Sequence, residues 1–156
     1  MTAPAHNGNG SSSVSRVGLR AAILAGGRGT RLAPYTSVLP KPLMPIGDQA
    51  ILEVVVGQLS AQGFTDITLC VGHLSHLIRA VFDTRPKVDS TVTYVQEVEA
   101  LGTAGPLRLL EGMEDTFLAM NGDVLTTLDY RRLLEAHRRD GNAFTIATHQ
   151  RTIKID

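Results

Sequence analysis

The chain has 156 residues, a mass of 16.7 kDa and a mean hydropathy of +0.05, which indicate one globular domain rather than a disordered or membrane-spanning protein. Fifteen basic residues balance fifteen acidic ones, so the chain lacks the basic excess with which nucleic-acid-binding proteins neutralise phosphates. The single cysteine, Cys70, excludes an internal disulfide framework and fits a reducing compartment, so we expect a cytoplasmic protein. From its charge and hydropathy we expect no nucleic-acid or membrane partner.

The amino-terminal segment differs in composition from the rest of the chain. Residues 1–16 are rich in Gly, Ser and Asn and lack the apolar segment of a signal peptide, so we interpret them as a disordered tail. Residues 17–156 then form the predicted domain. Its first element is the apolar run Leu19–Ala25, which predicts a buried strand that ends at Gly26 and Gly27.

A helix, a strand and a second helix are predicted after the loop that ends near Pro45. Asp48 is placed to cap a helix over Gln49–Gln62, and Gly63 follows that helix where a terminating glycine is common. The apolar run Ile67–Val71 predicts the second strand. The next segment has apolar residues at the spacing of an amphipathic helix, namely Leu74, Leu77, Ile78, Val81 and Phe82.

Strands and helices continue to alternate toward the carboxyl terminus. Thr91–Gln96 predicts the third strand, residues 104–111 a short helical stretch, and Thr116–Met120 the fourth strand. A helix containing Tyr130 and Leu134 should stop at residues 140–142, and Phe144–Thr148 predicts a fifth strand. This alternation implies right-handed crossovers and an α/β fold with a doubly wound, mostly parallel sheet.

The predicted topology selects the segments that should bind a ligand. In an open α/β sheet, ligands lie outside the carboxyl ends of the strands. Four segments meet that condition: the loop over residues 26–45, the turn at 71–73, the segment after Gln96, and Asn121–Asp123.

The loop after the first strand has the composition of a phosphate-binding loop. Residues 24–32 read LAGGRGTRL, and three glycines allow several backbone N–H groups to approach one anion. Thr30 adds a hydroxyl donor, and Arg31 adds a planar guanidinium suited to phosphate oxygens. Lys41 lies between two prolines that restrict its backbone.

Two common phosphate loops do not match this segment. The Walker motif requires Gly-Lys, which the chain lacks, and the dinucleotide fingerprint requires a glycine where this chain has Leu32. The missing glycine also disfavours an NAD-binding domain. A glycine-rich turn without a ligand is the plain alternative, but the grouping of glycines with Thr30, Arg31 and Lys41 disfavours it.

The chain resembles the sugar-1-phosphate nucleotidyltransferases. The resemblance is carried by the stretch LAGGRGTRLAPYTSVLPKPLMPIGDQAIL, by LGTAG at 101–105 and by Asn-Gly-Asp at 121–123. The resemblance covers about residues 20–148, and LGTAGPL followed by NGDV looks most like the mannose-1-phosphate guanylyltransferase branch. It implies a three-layer, Rossmann-like fold. It also implies transfer of a nucleoside monophosphate from a nucleoside triphosphate to a sugar 1-phosphate, with Mg²⁺ as cofactor and release of pyrophosphate.

The resemblance further implies residue roles. The glycine loop would hold the nucleotide phosphates, while two catalytic cations, Arg31 and Lys41, would stabilise the pyrophosphate and the reacting phosphates. Gln96 would contact the base, and Asp123 would bind Mg²⁺. The full set of implied nucleotide-binding residues is Leu24, Ala25, Gly26, Gly27, Gly29, Thr30, Arg31, Lys41, Gln96, Gly102, Asn121 and Asp123.

Several alternatives stay open at this point. Asn121–Asp123 is also ordinary turn chemistry, whereas His73 with His76 is a weak metal candidate and Cys70 a packing residue. The family's later segment, with its sugar-phosphate site and second metal-binding Asp, has no counterpart in these residues. We therefore expect either part of a longer enzyme or a short nucleotide-binding or regulatory module without transfer activity. Neither the base, the sugar nor self-association follows from the sequence.

Overall fold

Four parallel strands form the central sheet of the computed structural model, which describes residues 18–84, 88–99, 101–112, 116–150 and 152. The predicted tail over residues 1–16 lies outside the described residues. The strands of this sheet are β1 (Leu19–Leu24), β4 (Phe64–Val71), β5 (Thr91–Gln96) and β6 (Leu118–Asn121). Two short strands, β2 (Pro45–Ile46) and β3 (Gln49–Ala50), form a separate antiparallel pair.

The strand order β5-β4-β1-β6 gives the sheet a topological switch point. The chain moves outward from β1 through β4 to β5, and then returns to pair β6 with the free side of β1. This arrangement confirms the predicted doubly wound, parallel sheet. The crevice between the carboxyl ends of β1 and β6 is where such sheets bind ligands.

Three α-helices accompany the sheet in the described part of the chain. They are α1 (Ile51–Ala61), α2 (Ser75–Thr84) and α3 (Tyr130–Asp140), and short 3-10 turns cover Thr30–Leu32, Tyr35–Ser37, Lys41–Leu43 and Gly105–Leu109. The α1 helix buries one apolar face, formed by Leu52, Val55, Val56 and Leu59. Three consecutive residues of β1, at 21–23, have no exposed surface, as expected for a central strand covered on both faces.

The sequence prediction for the start of the first helix is wrong. Asp48 does not cap α1, because residues 45–50 form the β2–β3 pair and leave Asp48 exposed in its turn. The helix begins at Ile51 instead, and Oε2 of Glu53 accepts the Ala50 N–H at 2.7 Å. The short helical stretch predicted over residues 104–111 is confirmed, as the 3-10 helix Gly105–Leu109.

The predicted fifth strand over Phe144–Thr148 is also wrong. These residues pair with no strand in the described part of the chain, although their apolar composition suits a strand. Phe144 is 77% exposed and Ile146 is 68% exposed. A strand is stabilised by its ladder partner and by burial of a face, and this segment has neither here.

The end of α1 is tied to the start of α3 by Gln62. Its side-chain amide donates to the Leu128 carbonyl at 3.3 Å and accepts the Tyr130 N–H at 2.7 Å. Its backbone carbonyl accepts a hydrogen bond from Nε of Arg131 at 2.5 Å. The Tyr130 ring meets Phe64 edge to face, with centroids 6.2 Å apart. These contacts fix the chain that follows β6 against the core.

We predict that Gln62→Leu lowers the free energy of unfolding by about 1–3 kcal/mol, because it removes two hydrogen bonds and leaves the Tyr130 N–H unpaired. Gln58 provides a matched control one helical turn earlier. Its Oε1 atom is buried and has no hydrogen-bond partner among the described residues, so Gln58→Leu should be neutral or stabilising. Urea unfolding of both variants measures the difference, and equal losses would contradict the prediction.

Candidate functional site

A cleft of about 890 Å³ lies at the carboxyl ends of the four parallel strands. It is lined from all four segments that the predicted topology selected. After β1 come residues 24–29 together with Lys41 and Pro42, and after β4 come Gly72 and His73. Residues 96–99, Gly102, Thr103 and Pro106 follow β5, and Asn121 and Asp123 follow β6. The cleft therefore includes the switch point between β1 and β6.

The floor of the cleft is made by direct contact between strand ends. The Gly26 carbonyl lies so close to Gly72 that a Cβ on Gly72 would be 2.8 Å from its oxygen. On the other side, the Gly122 N–H donates to the Leu24 carbonyl at 2.9 Å. A Cβ on Gly122 would lie 3.1 Å from side-chain atoms of both Ile23 and Leu52. Because a side chain does not fit between Gly26 and Gly72, these two residues present main-chain groups to the cleft.

The glycine loop is held in shape from within. Gly29 has a left-handed conformation with φ of 62°, and the hydroxyl of Thr36 donates to the Gly29 carbonyl at 2.9 Å. Thr36 is 4% exposed. A Cβ on Gly29 would lie 2.8 Å from Cγ2 of Thr36 and 3.3 Å from Cβ of Lys41. The glycine loop and the lysine segment are thus packed directly against each other.

Lys41 and Asp123 meet across the cleft, with the Lys41 ammonium in contact with the Asp123 carboxylate. Lys41 begins a 3-10 turn in which Pro42 and Leu43 are buried, so its backbone is anchored while its side chain reaches the cleft. The side chains of Lys41 and Asp123 are 41% and 23% exposed. Two residues from separate candidate segments of the sequence are therefore brought into contact in the cleft.

Most of the predicted site residues line this cleft. The ten that do are Leu24, Ala25, Gly26, Gly27, Gly29, Lys41, Gln96, Gly102, Asn121 and Asp123. The other two, Thr30 and Arg31, lie outside the lining in an exposed 3-10 turn. The chain reverses at the left-handed Gly29, which separates them from the residues before it. Arg28, which the sequence analysis did not select, lines the cleft instead.

Glu97 is another lining residue that sequence reasoning missed. Its backbone N–H donates to the Val71 carbonyl at 2.8 Å, and its Oε1 accepts the Leu101 N–H at 2.9 Å. The side chain is half-buried, and Oε2 lies 3.4 Å from where a Cβ on Gly26 would be. Its position directly after Gln96 was the available signal. The remaining lining residues, which were not among the predicted site residues although they lie in the selected segments, are Pro42, Gly72, His73, Val98, Glu99, Thr103 and Pro106.

Cys70 lies beneath this region and is 1% exposed. Burial raises the pKa of its thiol to about 11, and the negative charge of Glu97 adds to the shift. The thiol therefore stays protonated near neutral pH, as expected of the predicted packing residue rather than a nucleophile.

Neither a metal cage made of protein side chains nor a membrane helix is found within the described ranges. No three His, Cys, Asp or Glu side chains come together there in a group that could hold a metal ion. Among the same residues, no helix has the length and apolar character needed to cross a bilayer.

Comparison with known proteins relates most of the chain to one family. Residues 20–154 match the protein-family model described as "Nucleotidyl transferase". The mannose-1-phosphate guanyltransferase of Emericella nidulans is 37% identical over 82% of this chain and 36% of its own length. The enzyme of the same name from Candida albicans is 35% identical over 82% of this chain and 37% of its own length. The chain thus spans a little over a third of the length of these relatives.

Solved structures show the same similarity. HddC from Yersinia pseudotuberculosis, in a complex described as containing GMP-PN, has 33% identity and a TM-score of 0.67, covering 76% of this chain and 54% of its own. A putative glucose-1-phosphate thymidylyltransferase from Bacillus anthracis has 29% identity and a TM-score of 0.69, covering 78% and 50%. UDP-glucose pyrophosphorylase from Acinetobacter baumannii, at 21% identity and a TM-score of 0.70, shares the fold over 79% and 53%.

We predict that Gly29→Ala destabilises the protein by about 1–2 kcal/mol, because a Cβ is disfavoured in a left-handed conformation and would press on Thr36. Gly27→Ala is the control in the same loop, since a Cβ there has no atom within 4 Å. Its free energy of unfolding should stay within about 0.5 kcal/mol of the parent value. Chemical denaturation measures both variants, and a stable Gly29→Ala protein would contradict this account of the loop.

Proposed function

Because the chain belongs to the nucleotidyl transferase family, we propose that it forms the nucleotide-binding part of a sugar-1-phosphate nucleotidyltransferase. The observation that carries the proposal is the meeting of Lys41 and Asp123 beside the glycine loop at the switch point of the sheet. The proposed reaction transfers a nucleoside monophosphate from a nucleoside triphosphate to a sugar 1-phosphate. The guanyltransferase names of the curated relatives favour a guanine nucleotide as donor. We place this nucleotide-sugar synthesis in the cytoplasm, since a single cysteine suits a reducing compartment.

The glycine loop and its neighbouring cations suit the phosphate groups. Gly27 is exposed and no atom lies within 4 Å of where its Cβ would be, so a phosphate can approach the main chain closely. Arg28 lies in the cleft lining, and Arg31 lies on the far side of Gly29. The family resemblance assigns the pyrophosphate to Arg31, and Arg28 adds a second guanidinium at the same loop.

The chemistry needs positioning and neutralisation of charge more than a nucleophilic side chain. An oxygen of the sugar phosphate forms a bond to the α-phosphorus in line with the bond that breaks, and pyrophosphate leaves with the electron pair. The buried Pro42 and Leu43 anchor the backbone of Lys41, and the Lys41 ammonium is placed to neutralise charge that develops on the phosphates. The protonated Cys70 thiol takes no part in this step.

Asp123 fits the role of a Mg²⁺ ligand. Its carboxylate lines the cleft and contacts an ammonium group, so it already occupies a place where positive charge is favourable. Mg²⁺ is commonly held by one or two carboxylates together with substrate phosphates, which suits a site with one carboxylate at the switch point. When bound, the ion would supply charge neutralisation and polarisation of the phosphate oxygens.

We predict that Asp123→Asn keeps the fold but weakens Mg²⁺-dependent binding of nucleoside triphosphate by roughly tenfold or more, because an amide oxygen carries no full charge. Titration calorimetry with and without Mg²⁺ measures the effect. Asp89→Asn is the control, since Asp89 is exposed just before β5, at the end of the sheet away from the cleft. Equal Mg²⁺ dependence of nucleotide binding in the parent and Asp123→Asn proteins would show that Asp123 is only a turn residue and not a metal ligand.

We predict that Lys41→Ala reduces transfer by a factor on the order of 10²–10³ while weakening nucleotide binding much less, because the ammonium acts on charge that develops during the reaction. Pyrophosphate release by the enzyme that contains this chain gives kcat and KM separately. Arg108→Ala, which removes an exposed cation outside the cleft, should change neither. An unchanged kcat with only a raised KM would contradict the catalytic role.

A further inference from the structure

Thr36 is a buried polar residue in a loop whose neighbouring side chains face solvent. It is 4% exposed, whereas Tyr35 and Val38 in the same loop are 70% and 74% exposed. Burial of a hydroxyl group is unfavourable unless the hydroxyl is hydrogen-bonded, and a valine would fill nearly the same volume without that requirement. The Thr36 hydroxyl has such a partner, because it donates to the Gly29 carbonyl at 2.9 Å.

Gly29 lies where the glycine loop leaves the cleft. Residues 24–29 line the cleft, and the chain reverses at Gly29, which has a φ of 62°. The Gly29 carbonyl accepts two hydrogen bonds of 2.9 Å, one from the Thr36 hydroxyl and one from the Leu32 N–H. These two donors match the two lone pairs of the oxygen. Because the peptide unit after Gly29 is planar and rigid, holding its oxygen also fixes the direction in which the loop enters the cleft.

The same contact sets the position of Gly29 relative to Lys41. A Cβ on Gly29 would lie 2.8 Å from Cγ2 of Thr36 and 3.3 Å from Cβ of Lys41. The methyl group of Thr36 therefore packs against Gly29, while its hydroxyl holds the Gly29 carbonyl. The Lys41 ammonium reaches Asp123 in the cleft. A shift of Gly29 would thus change the distance between the main chain of the glycine loop and this ammonium.

We propose that Thr36 is a positioning residue for nucleotidyl transfer, an inference that rests on the proposed function. Its hydroxyl sets the spacing between the main chain of the glycine loop and the Lys41 ammonium, two groups that act on the same phosphates. Thr36 does not line the cleft, so it acts through Gly29. In-line transfer depends on exact placement of the reacting groups, and a displacement of about 1 Å can reduce its rate on the order of 10²-fold.

Two substitutions separate the hydroxyl of Thr36 from its methyl group. Thr36→Val keeps the shape and removes the donor, while the Gly29 carbonyl keeps the Leu32 N–H as a partner. Its urea unfolding midpoint should therefore stay near the parent value although turnover falls. Thr36→Ser keeps the donor and removes the buried methyl group, so its midpoint should fall although turnover is retained. A purely structural role would change the two quantities together.

The experiment measures pyrophosphate release from GTP with mannose 1-phosphate, a pair chosen from the names of the curated relatives, by the enzyme that contains this chain. Thr36→Val should lower kcat roughly 10- to 100-fold and change the KM for GTP by less than about threefold. Thr36→Ser should restore most of the parent kcat. Thr84→Val is the matched control outside the cleft, since the Thr84 hydroxyl also donates to a carbonyl, that of Ala80 at 2.7 Å. It should change neither constant.

The outcomes separate this inference from the proposed function. If the parent enzyme neither releases pyrophosphate nor binds a nucleoside triphosphate, the proposed function fails and this inference fails with it. If the parent is active and Thr36→Val keeps its kcat, or if kcat follows the urea midpoint in both variants, the positioning role is overturned while the proposed function stands. If Thr36→Val does not fold, Thr36→Ser and Thr36→Ala still differ by the hydroxyl alone. A lower kcat for Thr36→Ala than for Thr36→Ser then supports the inference, and equal values overturn it.

Discussion

Direct contact between backbones at the carboxyl ends of β1, β4 and β6 is the constraint on which the site depends. Gly26 and Gly72 approach so closely that a side chain on either would press on the other's main chain. Gly122 is similarly enclosed by Ile23, Leu52 and Ala25. Because these glycines let the strand ends meet, the segments that follow them open into one cleft. The close packing of the sheet and the formation of the site have the same physical origin.

The elements that the sequence predicted well are those with strong periodicity or complete burial. The apolar run at β1 and the apolar spacing of α2 lead directly to a central strand and to a helix that buries Ile78. The family resemblance, drawn from the glycine loop and the Pro-Lys-Pro segment, was confirmed by the family match over residues 20–154. Both kinds of signal are local in sequence, so they can be recognised without knowledge of the structure.

The errors arose where strand pairing or backbone conformation, rather than residue type, decides the structure. Asp48 has the chemistry of a helix cap, but pairing between β2 and β3 places it in a turn. The Phe144–Thr148 segment has the composition of a strand but no ladder partner among the described residues. Thr30 and Arg31 lie outside the cleft because Gly29 turns the chain, and Glu97 enters it because β5 ends beside β4. Sequence spacing alone contains neither kind of information.

The ion pair between Lys41 and Asp123 has a consequence for how readily the site accepts its ligand. Both side chains are partly exposed, so water and dissolved ions screen their attraction, and pairs of this kind contribute only about 0–1 kcal/mol. Such a contact positions the two side chains without locking them together. Under the proposed function, Lys41 would act as the counter-ion of Asp123 until a cation bound to the nucleotide phosphates takes its place, and its ammonium would then contact the phosphates. Each charged group would thus keep a partner of opposite charge during the exchange.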